Sequence, residues 1–363
     1  MTVVEGKAFF FEKKTQKTFD HKNWHRPGLA KVFACFFKKT SFLVLTFLAV
    51  CYAAHADTGR LKCGIVAEPL DWNKQDLHGS LAPLDAEMCR AVATALYGSP
   101  ERFDVQTYNV EQDGLAALAS GKSDIVTGMT PAAVPSAKGV HFSLPIFQDG
   151  QGFMVHKAEG IHSAADIAGH KLCYIEDTDN DPTVLAYLAA RGIRPYPFGF
   201  QEEGEMDAGI MDRHCQATSA YISKLAEARA TFRNAHDYVM LPEMLTLVPV
   251  TIATGAANPR LAAIVDYTIS VTLQAEFLGV TRATAMSVAH SEDTRMRRLT
   301  GEDWITAQGL GLPHDWSRKV LAAVGNYGEI YDRTVGPGTP FNLARGLNAL
   351  WNKGGLMAPL PLQ

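Results

Sequence analysis

The 363-residue sequence lacks the features that mark several protein classes. Its 30 glycines and 18 prolines are too few for a collagen-like or low-complexity chain. There is no Cys-x-x-Cys pair, no His-Glu-x-x-His and no glycine-rich phosphate cradle, so the common zinc, metalloprotease and nucleotide-binding patterns are missing. A formal charge of -4 leaves no basic footprint for nucleic acid. Outside the N-terminal region no stretch reads as a membrane span, which needs roughly 20 apolar residues. No internal repeat is visible. His78, His141, His214 and His290 are scattered and receive no role.

What remains is a globular composition, 47% apolar and 20% charged, long enough for two ordinary domains or one lobed protein with two cores. The charge is unevenly spread. Residues 1–56 hold nine Lys/Arg against three Asp/Glu, a surplus of six that leaves the other 307 residues at -10. Lys38 and Lys39 precede the short apolar run Ser41–Val50, and Ala54-His55-Ala56 follows it. A positive flank, a short apolar stretch and an A-x-A site form an export signal. Cleavage is expected after Ala56, with 1–56 as leader. Cys51 raises a lipoprotein alternative, which the bulky Val50 before it disfavours. The 35 or so residues before Lys38 are long for a leader, and an upstream start codon or a longer tether would each account for them.

Cys35 and Cys51 fall in the leader; Cys63, Cys89, Cys173 and Cys215 belong to the body. Four cysteines in an exported chain point to two disulfides, and their spacings of 26, 84 and 42 do not suit a zinc knuckle. The residues leave three pairings open.

Strand-like runs alternate with helical ones. Leu61–Val66, Phe103–Tyr108 and Lys122–Gly128 read as strands, separated by helices over Leu84–Tyr97 and Gly114–Ser120. Met88, Val92, Ala95 and Leu96 recur at helical spacing. The pattern restarts with Lys171–Ile175, a helix over Thr183–Ala190, and strands at Ala217–Ala220 and Tyr238–Leu241. A helix over Leu261–Leu273 follows. Alternation of this kind argues for α/β architecture with mostly parallel sheets.

Leu61–Gly64 with Asp85–Ala93, Asp149–Val155, and Val324–Tyr331 continuing to Ala344–Trp351 resemble the polar amino-acid-binding proteins of ABC importers, in particular the general L-amino-acid subgroup. The resemblance runs from about residue 60 to the C-terminus. It implies a two-lobed periplasmic-binding-protein fold of type II, each lobe a mostly parallel sheet flanked by helices, with two crossings near Gly152–Val155 and Pro249–Ile252. Lobe 1 would comprise 57–152 and 253–363 with a C-terminal extension, and lobe 2 would comprise 153–252. The resemblance also implies disulfides Cys63–Cys89 and Cys173–Cys215. It further implies a periplasmic monomer that binds a small polar solute between its lobes and hands it to an inner-membrane ABC permease, with no cofactor and no nucleic-acid partner.

The ligand clamp departs from that family. A zwitterionic amino acid needs a cation for its carboxylate, and a planar arginine fork suits it. The family places one shortly after the third strand. Here that region is Thr127–Gly139, and no arginine occurs between Arg102 and Arg191. Ser136 takes the fork position and Lys138 is the nearest cation, although a solvated lysine is the competing reading. The hydroxyls of Thr127 and Thr130 face either the ligand or the sheet.

The family's ammonium-binding Asp is replaced by Tyr221, which offers a hydroxyl or a ring face. Its anion-binding Gly-Thr-Thr turn is replaced by Glu176–Thr183, whose acids would repel an anion. Asp177, Thr178 and Asp179 are candidate contacts for a cationic ligand, and the Asp177, Asp179, Asp181 spacing suggests a weak calcium loop. Asp181 as a cap before Pro182 is the structural alternative. Trp72 lies where the family often stacks an aromatic ring on its ligand.

The expected function is therefore a solute-binding component with altered ligand preference. An exported accessory or sensor protein on the same fold, serving no importer, is the alternative. An enzyme is disfavoured because no acid–base pair or nucleophile motif is visible.

Overall fold

The structure, a computed structural model, describes residues 59–67, 81–176, 180–288, 291–301 and 305–362. Expectations placed on the leader and on the loop around Trp72 lie outside these residues. Residues 59–363 form one compact unit.

Among the described residues eleven strands build two sheets. They are β1 Leu61–Val66, β2 Phe103–Tyr108, β3 Ile125–Met129, β4 His141–Phe142, β5 Phe147–Asp149, β6 Gln151–His156, β7 Lys171–Ile175, β8 Tyr196–Phe200, β9 Ala217–Tyr221, β10 Tyr238–Met240 and β11 Val248–Thr254. The helices among the described residues are α1 Ala82–Tyr97, α2 Glu111–Ser120, α3 Ala133–Ala137, α4 Asn180–Ala190, α5 Glu203–Met211, α6 Ile222–Thr231, α7 Pro259–Leu278, α8 Thr294–Thr300, α9 Ile305–Leu310, α10 Trp316–Val324 and α11 Tyr327–Thr334.

The first sheet runs β2-β1-β3-β11-β4, with β5 paired to β11; the second runs β10-β6-β9-β7-β8. β1 is parallel to β2 and β3, and β7 is parallel to β8 and β9. The strands that enter each sheet from the crossings, β11 and β6, pair antiparallel. The sequence suggested mostly parallel sheets, and these are mixed. A strand arriving from the other lobe enters against the direction of the βαβ units, so antiparallel pairing follows wherever the chain crosses.

Packing follows the periodicities of the sequence. On α1, Leu84, Met88, Val92 and Ala95 form a buried stripe against the first core, and the helix ends at Gly98 in the left-handed region (φ 68°). On β6, Phe153 and Val155 enter one core while Met154 enters another on the opposite face. By length and composition α7 could cross a membrane, although sequence inspection passed over it. Most of it is buried in the first core instead, and its Thr268 hydroxyl donates to the Ile264 carbonyl (2.7 Å), satisfying a polar group there.

The cysteines pair Cys63–Cys89 and Cys173–Cys215. The first ties β1 to α1, and the second ties β7 to the segment before β9. The C-terminal arm after α11 returns to the crossing strands. Asn348 accepts the Gln148 N–H (2.6 Å) and donates to the Gln148 carbonyl (3.0 Å). At Gly150, between β5 and β6, a Cβ would lie 2.0 Å from the Thr246 carbonyl oxygen, so the two crossings run too close for any side chain there.

Replacing both Cys173 and Cys215 by Ser reopens a 42-residue separation in the unfolded chain. Urea unfolding of this variant should show a loss of about 3–4 kcal/mol.

Candidate functional site

The C-terminal ends of β1, β2 and β3 open onto a cavity of 410 Å³ that also faces α5 and α6 of the second sheet's lobe. Val66 ends β1 and Ala67 follows it, Leu81 caps α1 and Asp85 lies in its first turn, and Asn109 and Glu111 follow β2. Gly128 lies in β3 and Thr130 just after it, and Asp149 and Val250 come from the crossing strands. Glu203, Ser223, Lys224 and Glu227 complete the far wall. In α/β sheets ligands bind beyond the carboxyl ends of the strands, and clefts between lobes are common ligand sites. A second hollow of 540 Å³ along β2 and α2 is more open and draws no residue from the other lobe.

Among the described residues, five carboxylates and one lysine line the first cavity. Asp85, in the first turn of α1, is 2% exposed. Burial, reinforced by the nearby Glu227 carboxylate and offset in part by Thr127, pushes its carboxyl up to about 7. Glu227 on α6 reaches across to accept the Leu81 N–H (3.1 Å), and its other oxygen lies 3.4 Å from Lys224 Nζ. Burial raises Glu227 to about 7 as well, against the pull of Lys224 and the Leu81 N–H and with a small upward push from Glu203. Asp207, beside Glu203 on α5, is raised to about 6 by burial first and by Glu203 second.

Asp149 is satisfied internally. Its carboxylate accepts the Gly150 N–H (2.8 Å), the Ser223 N–H (3.2 Å) and the Ser223 hydroxyl. It therefore fills the N-terminus of α6, a position that otherwise suits an incoming anion. Burial still raises its pKa above the ordinary carboxylate value. Glu111 accepts the Thr130 N–H (2.8 Å).

The residues expected from sequence are only partly gathered here. Thr130 lines the cavity. Thr127 is fully buried behind Asp85, and its hydroxyl has no hydrogen-bond partner of good geometry. Ser136 and Lys138 are exposed at the end of α3 and are not on the wall; the Ser136 hydroxyl donates back to the Ala132 carbonyl (2.8 Å). Tyr221 is the half-buried N-cap residue of α6, also off the wall. Trp72, Asp177, Thr178 and Asp179 lie outside the described residues, as does the side chain of Asp181. Among the described residues, no three His, Cys, Asp or Glu side chains converge as a metal site.

Sequence reading missed Asp85, Glu111, Asp149, Ser223, Lys224 and Glu227. Asp85 and Asp149 stand inside the stretches that carry the resemblance, so those stretches held a usable signal. Lys224 and Glu227 are three residues apart on one helix and read as an ordinary surface pair.

The raised carboxyls make stability depend on pH with a defined sign. A carboxyl whose folded pKa exceeds its unfolded value contributes fully below about pH 4, and that contribution is lost as pH rises through about 7. Asp85 is faced by Thr127 from β3 and Glu227 from α6, and Glu227 by Lys224 and Glu203. Asp85→Asn should therefore melt about 2–5 °C above the wild type at pH 8, with the gap closing by pH 4, as followed by circular dichroism.

No protein-family model matches the chain. It is 31% identical over 309 residues to the general L-amino acid-binding periplasmic protein AapJ of Rhizobium johnstonii, covering 84% of this chain and 90% of that protein. It is 30% identical over 338 residues to the glutamate/glutamine/aspartate/asparagine-binding protein BztA of Rhodobacter capsulatus, covering 90% and 100%. A periplasmic binding protein of a Brucella ovis ABC transporter, solved with glutathione bound, superposes with a TM-score of 0.69 at 31% identity and covers 88% of this chain and 99% of that one. These relatives are named as binding proteins rather than enzymes. With two lobes, two disulfides and a cavity at the strand ends, the chain belongs to the family of amino-acid-binding periplasmic proteins of ABC transporters.

Proposed function

We propose that the protein is the exported solute-binding component of an ABC importer and takes a small polar ligand between its lobes, with a preference shifted away from zwitterionic amino acids. The observation that carries this reading is the charge of the cavity wall: among the described residues it holds five carboxylates, one lysine and no arginine. A free amino acid entering it finds no planar fork for its carboxylate.

Residues 1–56 act as leader, and the mature chain works in the periplasm as a monomer. Lobe 1 comprises 57–152 and 253–363, and lobe 2 comprises 153–252. Ligand draws the lobes together about the crossings at Gly150 and Val248–Val250, and the closed form docks on its permease. The same charge pattern also fits an exported sensor that serves no importer. Ligand binding without transport would identify that case.

Loss of the two charge-assisted bonds of an arginine fork, each worth about 1.5–3 kcal/mol, lowers affinity by a factor of roughly a hundred or more. Isothermal titration with L-glutamate, L-glutamine and L-alanine should give dissociation constants above about 100 µM, equivalent to roughly 5.5 kcal/mol. Low-micromolar binding of any of the three would restore an ordinary amino-acid receptor.

A further inference from the structure

The cavity's carboxylates come from both lobes and are unequally satisfied. Asp149 and Glu111 have good internal donors. Asp85 does not. It is 2% exposed yet reaches the cavity wall, and no described group donates it a hydrogen bond of good geometry. The nearest hydroxyl, Thr127 Oγ1, is itself buried and unpartnered. A buried carboxylate left this way costs several kcal/mol unless it is protonated or a cation arrives. Glu227 adds a second carboxylate from the opposite lobe, close enough for the two to repel each other.

Two classes of ligand fit poorly. A metal ion needs several ligands converging on one point, and no such cluster exists among the described residues. An anion or zwitterion needs a cationic or N–H-rich pocket, but the N-terminus of α6 is filled by Asp149 and Lys224 lies against Glu227. What suits separated carboxylates across 410 Å³, with Val66, Ala67, Leu81 and Val250 between them, is an extended organic cation with an apolar middle. An ammonium carries three donors and no acceptor, which matches ionised carboxylates, groups that only accept.

Resting on the interlobe cleft being the solute site, we propose that its ligand is an aliphatic amine without a carboxylate, a diamine or polyamine, whose ammonium groups pair with Asp85 and Glu227 while its methylenes lie on Val66, Leu81 and Val250. Pairing from both walls makes one molecule bridge the lobes, so the charge that selects the ligand also drives closure. Both carboxyls must ionise to bind it. Since each titrates near neutrality in the free protein, capture of the amine releases protons between about pH 6 and 8.

Matched pairs that differ only by a carboxylate test the proposal: cadaverine against L-lysine and agmatine against L-arginine. They are titrated calorimetrically into the purified protein at low salt and pH 7, in two buffers of different ionisation enthalpy. The expected result is that each amine binds at least tenfold tighter than its amino acid and releases protons on binding. Asp85→Asn and Glu227→Gln should each weaken amine binding at least tenfold while melting temperature and circular dichroism report a folded protein.

Amino acids binding as tightly as their amines would overturn the inference, as would amine binding that is indifferent to both substitutions. So would tight binding of L-glutamate or glutathione, run as controls. In those cases the protein still binds a solute and the receptor reading stands, although tight L-glutamate binding also removes the shifted preference. Absence of binding by every amine, amino acid and glutathione would overturn both.

Discussion

The Asp149 carboxylate is buried where the chain leaves one sheet for the other, and much of the molecule is arranged around it. It takes the first N–H groups of α6 and the Ser223 hydroxyl, so a side chain of the β5 crossing strand fixes the start of the helix that walls the cleft. With α6 set at that end, Glu227 reaches the Leu81 N–H at the start of α1, and Lys224 lies beside it. The tight passage at Gly150 follows from the same packing, because the carbonyl of Thr246 closes over it. Moving this one carboxylate would release a helix terminus, an interlobe hydrogen bond and the register of both crossings.

The fold was legible for ordinary physical reasons. Strand runs such as Leu61–Val66 and Lys171–Ile175 are short, apolar and flanked by helices with a clear stripe, as on α1. Disulfide pairing came from resemblance and not from spacing, since cysteine positions alone leave three choices. The strand directions were less legible. A crossing strand has the same composition as a parallel one, and its antiparallel entry depends on the path of the chain between lobes.

The site was legible only in part. Thr130 could be placed because it directly follows a strand that was readable. Ser136 could not, because the short α3 turns outward and the hydroxyl is spent on its own helix. Asp85 looked like any acid in a first helical turn, where it suits the macrodipole. It is buried and meets the like charge of Glu227, far away in sequence, and no local pattern encodes that meeting. The wall that matters is assembled from both lobes, which is why motif reading found the family before it found the ligand chemistry.

A second connection between α6 and the C-terminal arm is of another kind. The buried Arg229 guanidinium donates to the backbone carbonyls of Phe341 and Asn342, and no carboxylate among the described residues pairs with it. Neither side of that contact changes ionisation across the neutral range. The α6 helix is thus held at one end by a clasp indifferent to acidity and, along the cleft, by carboxyls that respond to it. A drop in pH would alter the cleft edge of the helix while its far end stays anchored. The arm thereby supplies a fixed pivot against which that edge can swing.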